Sequence, residues 1–263
     1  MTTRYRATLA YDGTAYQGYQ KQAEHTPNTV QGVVEAALAA ILGTPTTVWG
    51  AGRTDTGVHA RGQVIAFDAE WSHEPEKLLK ALNVKLPDDI AVQDVAPAPG
   101  FHPRFDAASR RYGYQVLIAP VRQPLWARRA WQLQRPLDVE AMQQAAALLL
   151  GEHDFATFGK PPRGINTVRE VFVSEWAQQD TAEGHLLVYT VEATAFLQHM
   201  VRRIVGMLVE VGMALRSVAD FEAAFLSADL AQSGHLAPPY GLYLEAVRYA
   251  EAPAEASGSS QTD

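Results

Sequence analysis

Apolar residues recur along this chain with two alternating periods, and the switches between them outline its elements. Leu9 to Tyr11 close a first strand, and Asp12-Gly13-Thr14 reads as a turn. Val30, Val33, Val34, Ala37, Leu38 and Ile41 then form one apolar stripe at helical spacing, with Asn28 or Thr29 as the cap. Gly43 stands where a left-handed C-terminal cap belongs, and Pro45 prevents continuation. Short strands are expected over Thr46–Trp49 and Gln63–Phe67 with a glycine-rich loop between them. A helix over Pro75–Val84 and a strand over Ile90–Val95 follow. The order then returns. Arg110–Ile118 alternates as a strand with Tyr112, Tyr114 and Val116 on one face, and Asp138–Leu150 is a helix ended by Gly151. Val168–Trp176 and His185–Thr194 read as paired strands around an Asp180–Gly184 turn. The long apolar helix Met200–Leu215, a shorter one over Asp220–Leu226 and a strand over Leu242–Tyr249 complete the chain.

Each half therefore reads strand-helix-strand-strand-helix-strand, the ferredoxin-like split unit. The expected fold class is α+β: two ferredoxin-like halves forming a largely antiparallel sheet, helices packed on one face, and a catalytic cleft between the halves. With the boundary near Phe101–Ala107, residues 1–104 form an N-terminal domain carrying the glycine-rich loop, and residues 105–250 a C-terminal domain. Residues 251–263, rich in Ala, Ser, Glu and Gly, read as a disordered tail.

Composition narrows the chemistry. The 263 residues contain no cysteine, which removes disulfides, thiolate nucleophiles and cysteine-held metal. No stretch is apolar enough for a membrane span, and Met1-Thr2-Thr3-Arg4-Tyr5 runs straight into a strand without a signal region. A cytoplasmic protein without cofactor or metal is the simplest expectation. The formal net charge of −7 argues weakly against a nucleic-acid partner, but its distribution changes that reading. Between His102 and Arg135 lie seven arginines and one acid, Asp106, a local balance of +6 interleaved with aromatics. Arginine outnumbers lysine by 17 to 5, a bias that suits bidentate phosphate contact and stacking on bases. Arg104, Arg110 and Arg111 are the candidate RNA-backbone contacts; the plain alternative is a surface strand with scattered arginines.

Asp55 is the candidate for chemistry. It sits between two strands in a loop flanked by Gly50, Gly52, Gly57 and Gly62, which permit close backbone approach. Arg53, two residues away, is a cation that favours the charged form of a neighbouring carboxylate, and an ionised aspartate facing a cleft suits a nucleophile or base. Two other readings stay open on these residues alone. Asp55 could cap its own loop as an Asx-turn. Asp55-Thr56-Gly57 is also the triplet of aspartic proteases, although those need two carboxylates and no second such triplet occurs. His59 reads as structural more readily than as a ligand. His199 and Arg203 flank Arg202 on the long helix, equally suited to a surface or an RNA contact.

The full string Gly50-Ala51-Gly52-Arg53-Thr54-Asp55-Thr56-Gly57-Val58-His59-Ala60, with Gly62-Gln63-Val64, closely resembles the catalytic loop of the bacterial tRNA pseudouridine synthase A family. The resemblance extends over about 240 residues: Tyr11-Asp12-Gly13-Thr14 with Tyr16, Gly18 and Gln20; Thr29-Val30-Gln31-Gly32; Ala81-Leu82-Asn83; Phe101-His102-Pro103-Arg104-Phe105; Arg111-Tyr112; Ala195-Phe196 with His199-Met200-Val201-Arg202; and Gly241-Leu242-Tyr243-Leu244. It implies a cofactor-independent isomerase that converts uridines 38, 39 and 40 in the anticodon stem-loop of tRNA to pseudouridine, acting as a homodimer. By position it implies Asp55 as nucleophile and Arg202 as the basic partner of that carboxylate. Tyr112 corresponds to the tyrosine packing on the target base, Arg53 to an arginine that helps draw the uridine out, and Leu244 or Leu242 to the apolar wall. Two departures stand out: Tyr19 replaces a usual tryptophan, and the 160–167 segment is shorter than in many relatives. The competing class is a non-catalytic RNA-binding protein on the same fold, which has no use for an aspartate facing phosphates.

Overall fold

A computed structural model describes residues 1–21, 28–161 and 164–250. The expected disordered tail, and the centre of the short 160–167 segment, lie outside the described residues. Among the described residues ten strands and five α-helices follow in the order β1 (Thr3–Tyr11), α1 (Val30–Leu42), β2 (Val48–Gly50), β3 (His59–Ala69), α2 (Pro75–Lys85), β4 (Ile90–Pro97), β5 (Ala107–Ile118), β6 (Trp131–Leu133), α3 (Val139–Ala147), β7 (Gly151–Asp154), β8 (Val168–Thr181), β9 (Gly184–Ala193), α4 (Met200–Gly212), α5 (Val218–Leu226) and β10 (Leu242–Tyr249). The fold is α+β.

All ten strands join one mixed sheet in the order β4-β1-β3-β10-β5-β9-β8-β7, with β2 added on β3 and β6 on β5. Most pairs are antiparallel. The parallel ones are β5 with β6, and β3 with β10 through Tyr243 opposite His59 and Leu244 opposite Ala60. That short parallel contact closes the sheet between the N-terminal and C-terminal strands, and one hydrophobic core runs across it, from Leu38 and Leu82 to Tyr114, Leu208 and Leu244. Residues 98–106 cross from β4 to β5 and are held on the way: Ala98 N donates to Arg4 O at 2.8 Å, Arg4 Nη1 donates to Phe101 O at 3.2 Å, and Tyr249 Oη donates to Pro103 O at 2.8 Å.

Local signals set the helix ends. Thr29 caps α1, its hydroxyl accepting from Gly32 N, and Gly43 stops it in the left-handed region at φ +73°. The buried side of α1 is Val30, Val34, Ala37 and Leu38, one stripe of the helical period. Asp138 caps α3, but the helix ends at Ala147, earlier than the apolar pattern predicts. Leu148, Leu149 and Leu150 bond three residues back, a tightened final turn that Gly151, at φ +93°, converts into β7. Strands β6 and β7 have no counterpart in the sequence reading; at three and four residues they are too short to display a period. No helix among the described residues is long and apolar enough to cross a membrane.

Candidate active site

The loop between β2 and β3 carries Asp55 and is braced from beneath. Thr54 Oγ1 shares a 2.8 Å hydrogen bond with the hydroxyl of Tyr11 at the end of β1, and Gln63 Nε2 donates to Gly52 O at 2.8 Å. Tyr19 N donates to Thr54 O at 3.0 Å, and Val58 N to Asp55 O at 3.1 Å. The 17–20 segment lies directly on this backbone: Gly18 holds φ +87°, and a Cβ there would come within 2.8 Å of Thr54 O. Tyr19 is buried and stacks on Tyr11 with centroids 6.4 Å apart, so the departure from tryptophan leaves an aromatic supporting the loop.

Asp55 faces an open cleft of about 600 Å³ walled by the 17–20 segment, the 53–56 loop, Gln198, His199, Arg202 and Pro239. Arg202, 147 residues away in sequence, donates through Nη1 to Asp55 Oδ2 at 3.1 Å. Its side chain is 12% exposed and that of Asp55 34%. Among the described residues, the carboxylate accepts no hydrogen bond from the backbone of its own loop, so the Asx-turn reading is not what the loop adopts.

Arg202 is fixed at a second point. Nε donates to Ala237 O at 2.8 Å while Ala237 N donates to Arg202 O at 3.2 Å, a reciprocal clamp between α4 and the strap before β10. Close approach of that strap depends on Gly206: a Cβ there would sit 1.6 Å from His235 O. The guanidinium thus spans a backbone carbonyl and the carboxylate with its two ends, a use of its planar fork that a lysine cannot reproduce.

His199 occupies the N-cap of α4 with φ +62° and ψ +8° and makes no side-chain cap bond. That left-handed backbone costs a residue with a Cβ about 1 kcal/mol or more. It directs the imidazole into the cleft, where Nε2 lies 3.4 Å from Asp55 Oδ2. Burial lowers the pKa of His199; Asp55 opposes the shift, and Arg202 and Arg203 add to it. Sequence reasoning left this residue undecided. Its spacing of three from Arg202 was the available signal, since residues i and i+3 share a helix face.

The remaining candidates distribute unevenly. Arg53 is exposed at the cleft mouth. Tyr112 is buried, 7% exposed, under the same loop, edge-on to Phe196 with centroids 5.0 Å apart. Its phenol is pushed up to about 12, by burial first and then by the charge of Asp55. Leu244, fully buried, is the register partner of Tyr112 across β10 and β5, and Leu242 that of Tyr114. Arg104 is exposed beside Phe105. Arg111 is half-buried and pairs with Glu192 at 2.7 Å. Arg110 departs from the phosphate role expected of it: its guanidinium donates to Arg104 O at 2.7 Å, Thr194 O at 2.9 Å, Ala107 O at 3.3 Å and Ala51 O at 3.4 Å. Backbone carbonyls of the crossing segment, the 51–58 loop and the end of β9 took this arginine, a placement no local pattern reveals.

His59 is structural. Gly13 N donates to Nδ1 at 3.0 Å, and Nε2 faces the carbonyls of Arg128 at 2.8 Å and Tyr240 at 3.1 Å. Asp12 Oδ1 also lies 3.1 Å from Nδ1; burial lowers the pKa of the ring, and Asp12 and the two carbonyls oppose that shift.

The family described as tRNA pseudouridine synthase matches residues 7–106 and 145–250. A protein of Methylacidiphilum infernorum named tRNA pseudouridine synthase A is 43% identical over 251 residues, 93% of this chain and 95% of its own length. One of the same name from Geobacillus is 42% identical over 95% of this chain and 99% of its own. Another from Myxococcus xanthus is 41% identical over 99% of this chain and 97% of its own.

Proposed function

The chain belongs to the tRNA pseudouridine synthase family, and from that premise we propose that Asp55 is the nucleophile with which it isomerises uridine to pseudouridine in tRNA. Arg202 is its fixed counter-charge, and the anticodon stem-loop is the part of tRNA the cleft receives. The observation that carries the reading is the 3.1 Å contact between Asp55 and an arginine of α4 anchored to Ala237, in a cleft open to solvent.

The reaction breaks the bond from C1′ of the ribose to N1 of uracil, turns the ring, and joins C1′ to C5. One proton leaves C5 and N1 gains one, so no electrons and no water are consumed overall. A carboxylate nucleophile suits this balance because it forms and releases a bond without adding atoms to the product. A guanidinium offers donors and no acceptor, so Arg202 fits a positioning and charge-balancing role. Drawing the base from its stack costs a few kcal/mol, least in loops and at stem ends, and contact with an aromatic wall returns about 1–3 kcal/mol. Tyr112, backed by Leu244 and flanked by Leu242, is the candidate wall. Arg53 at the mouth is placed to take the position the extruded uridine leaves. Arg104 supplies phosphate contact, Arg111 contributes only as far as Glu192 releases it, and Arg110 acts as a structural brace. In the full proposal the two halves are ferredoxin-like units, residues 1–104 and 105–250, and the enzyme works as a cytoplasmic homodimer. The strand orders β4-β1-β3-β2 and β10-β5-β9-β8 support the first part.

The test is mapping of pseudouridine by carbodiimide chemistry in unmodified tRNA treated with purified protein. Modification of anticodon-stem uridines by the wild type, and none by Asp55→Asn at unchanged tRNA affinity, is the expected result. Wild-type modification by Asp55→Asn removes the nucleophile assignment; tight tRNA binding by the wild type with no pseudouridine favours the non-catalytic binding protein.

A further inference from the structure

Loss of a proton from C5 requires an acceptor, and the assignment of one rests on the reading of Asp55 given above. The cleft offers few candidates among the described residues. Arg53 and Arg202 are cations with no lone pair to offer, the amides of Gln17, Gln20 and Gln198 and the hydroxyls of Thr54 and Thr56 are not bases at neutral pH, and burial pushes the phenol of Tyr19 far up. Asp55, once released from the substrate, is held by the Arg202 guanidinium at 3.1 Å, a contact that favours the charged carboxylate over a protonated one. Tyr112 lies close, but a phenol pushed up to about 12 is ionised in only about one molecule in 10⁵ at neutral pH. That leaves His199.

We propose that His199 is the general base of the isomerisation, its Nε2 taking the proton from C5 once the C1′–C5 bond has formed. The Asp55 carboxylate bonds C1′ as the electron pair of the C1′–N1 bond leaves with the uracil, and the turned ring then bonds C1′ through C5 as the carboxylate departs with its own pair. The C5–H pair returns to the ring to restore its double bond while the proton passes to Nε2. The imidazolium gives up a proton and N1 takes one, so none is consumed overall.

Three features of the site support the assignment. The imidazole is not spent on capping α4, although it stands at the N-cap. Its left-handed backbone turns it toward the carboxylate, and Nε2 lies 3.4 Å from Asp55 Oδ2, beside it and not in place of Arg202. The side chain is 29% exposed, open to a ligand and to the solvent that must carry the proton away. The charged groups facing it are Asp55 from the loop and Arg202 and Arg203 from its own helix. Burial and the two arginines favour the neutral ring, and the carboxylate stabilises the imidazolium that forms on proton transfer.

The experiment uses the full-length His199→Gln protein and three tRNA transcripts, containing uridine, [5-²H]uridine or 5-fluorouridine. His199→Gln is expected to slow uridine isomerisation about 10²-fold and to unmask a primary deuterium isotope effect, with tRNA Kd unchanged. On 5-fluorouridine tRNA, which has no C5 proton to lose, it should form the carbon-linked product at the wild-type rate. Equal slowing on uridine and 5-fluorouridine tRNA without an isotope effect, or a wild-type rate on uridine, overturns the proposal. Should His199→Gln misfold, His199→Asn tolerates the left-handed backbone and is read the same way. Asp55→Asn on 5-fluorouridine tRNA separates the two assignments: reaction at the wild-type rate sinks the nucleophile reading, whatever His199 variants do.

Discussion

Replacing Arg202 with lysine keeps the positive charge and removes the fork. The guanidinium bonds Ala237 O at 2.8 Å and Asp55 Oδ2 at 3.1 Å with different nitrogens, whereas a lysine has one nitrogen and reaches only one of them. A charged hydrogen bond contributes about 1.5–3 kcal/mol, and with Asp55 one-third exposed the lower end applies, about 1.5 kcal/mol. Each 1.4 kcal/mol is about tenfold in rate, so loss of the bond alone slows the chemical step about tenfold. If the carboxylate also drifts by an ångström from its reacting position, the loss grows to about 10²-fold. The assay follows from the chemistry: tRNA transcribed with [5-³H]uridine releases its label to water on isomerisation, and single-turnover release measures the step directly. Arg202→Lys should fall by 10- to 100-fold on this estimate, with tRNA affinity within about threefold of wild type. An unchanged rate constant with affinity reduced tenfold would show that Arg202 serves the RNA backbone instead, and the reasoning would fail.

Arg110→Ala should lower the unfolding free energy by about 2–3 kcal/mol in urea, because carbonyls of Ala51, Arg104 and Thr194 lose a shared donor, and should leave the salt dependence of tRNA binding unchanged. A stable variant with a shallower salt slope would return Arg110 to the phosphates. Gly206→Ala must push the 235–237 strap off α4, costing about 2 kcal/mol or more in stability and slowing single-turnover release through the displaced Ala237 anchor; normal stability and rate would deny the strap that role. His59 and His199 both have lowered pKa values, chiefly from burial, so near pH 6.5 and just below it the unfolded chain binds more protons than the folded one. Stability contributed by the neutral rings is complete above about pH 6.5 and is lost as pH falls, so urea midpoints should drop between about pH 7.5 and 5.5, and less so in His59→Gln; equal midpoints refute the linkage.

How far the sequence could be read depended on the range of each interaction. Helix α1 was legible to the residue at Gly43 and to within one residue at its start, where Asn28 and Thr29 could both cap, because those residues and the stripe between them act within a few positions of one another. Helix α3 was over-extended because Leu148–Leu150 continue its apolar pattern while their backbone already tightens toward Gly151. In the site, Asp55 could be singled out from its glycine loop, but not freed of the turn and protease readings by that loop alone. Arg110 and Arg111 read as free cations because their partners, backbone carbonyls and Glu192, sit on other segments of the sheet.

By itself the sequence determined the order and kind of the longer elements, the reactive loop, and, through similarity, the residues expected around it. Only the tertiary structure decided how far apart those residues stand. The two-residue parallel contact of β3 with β10 and the Gly206 close approach together bring α4 beneath the loop. Arg202 then meets Asp55 and His199 turns beside it. Capping and periodicity act over one or two turns of chain and leave marks in neighbouring letters. A contact between residues 147 positions apart is the sum of many strand registers and packing choices, and no local window holds it.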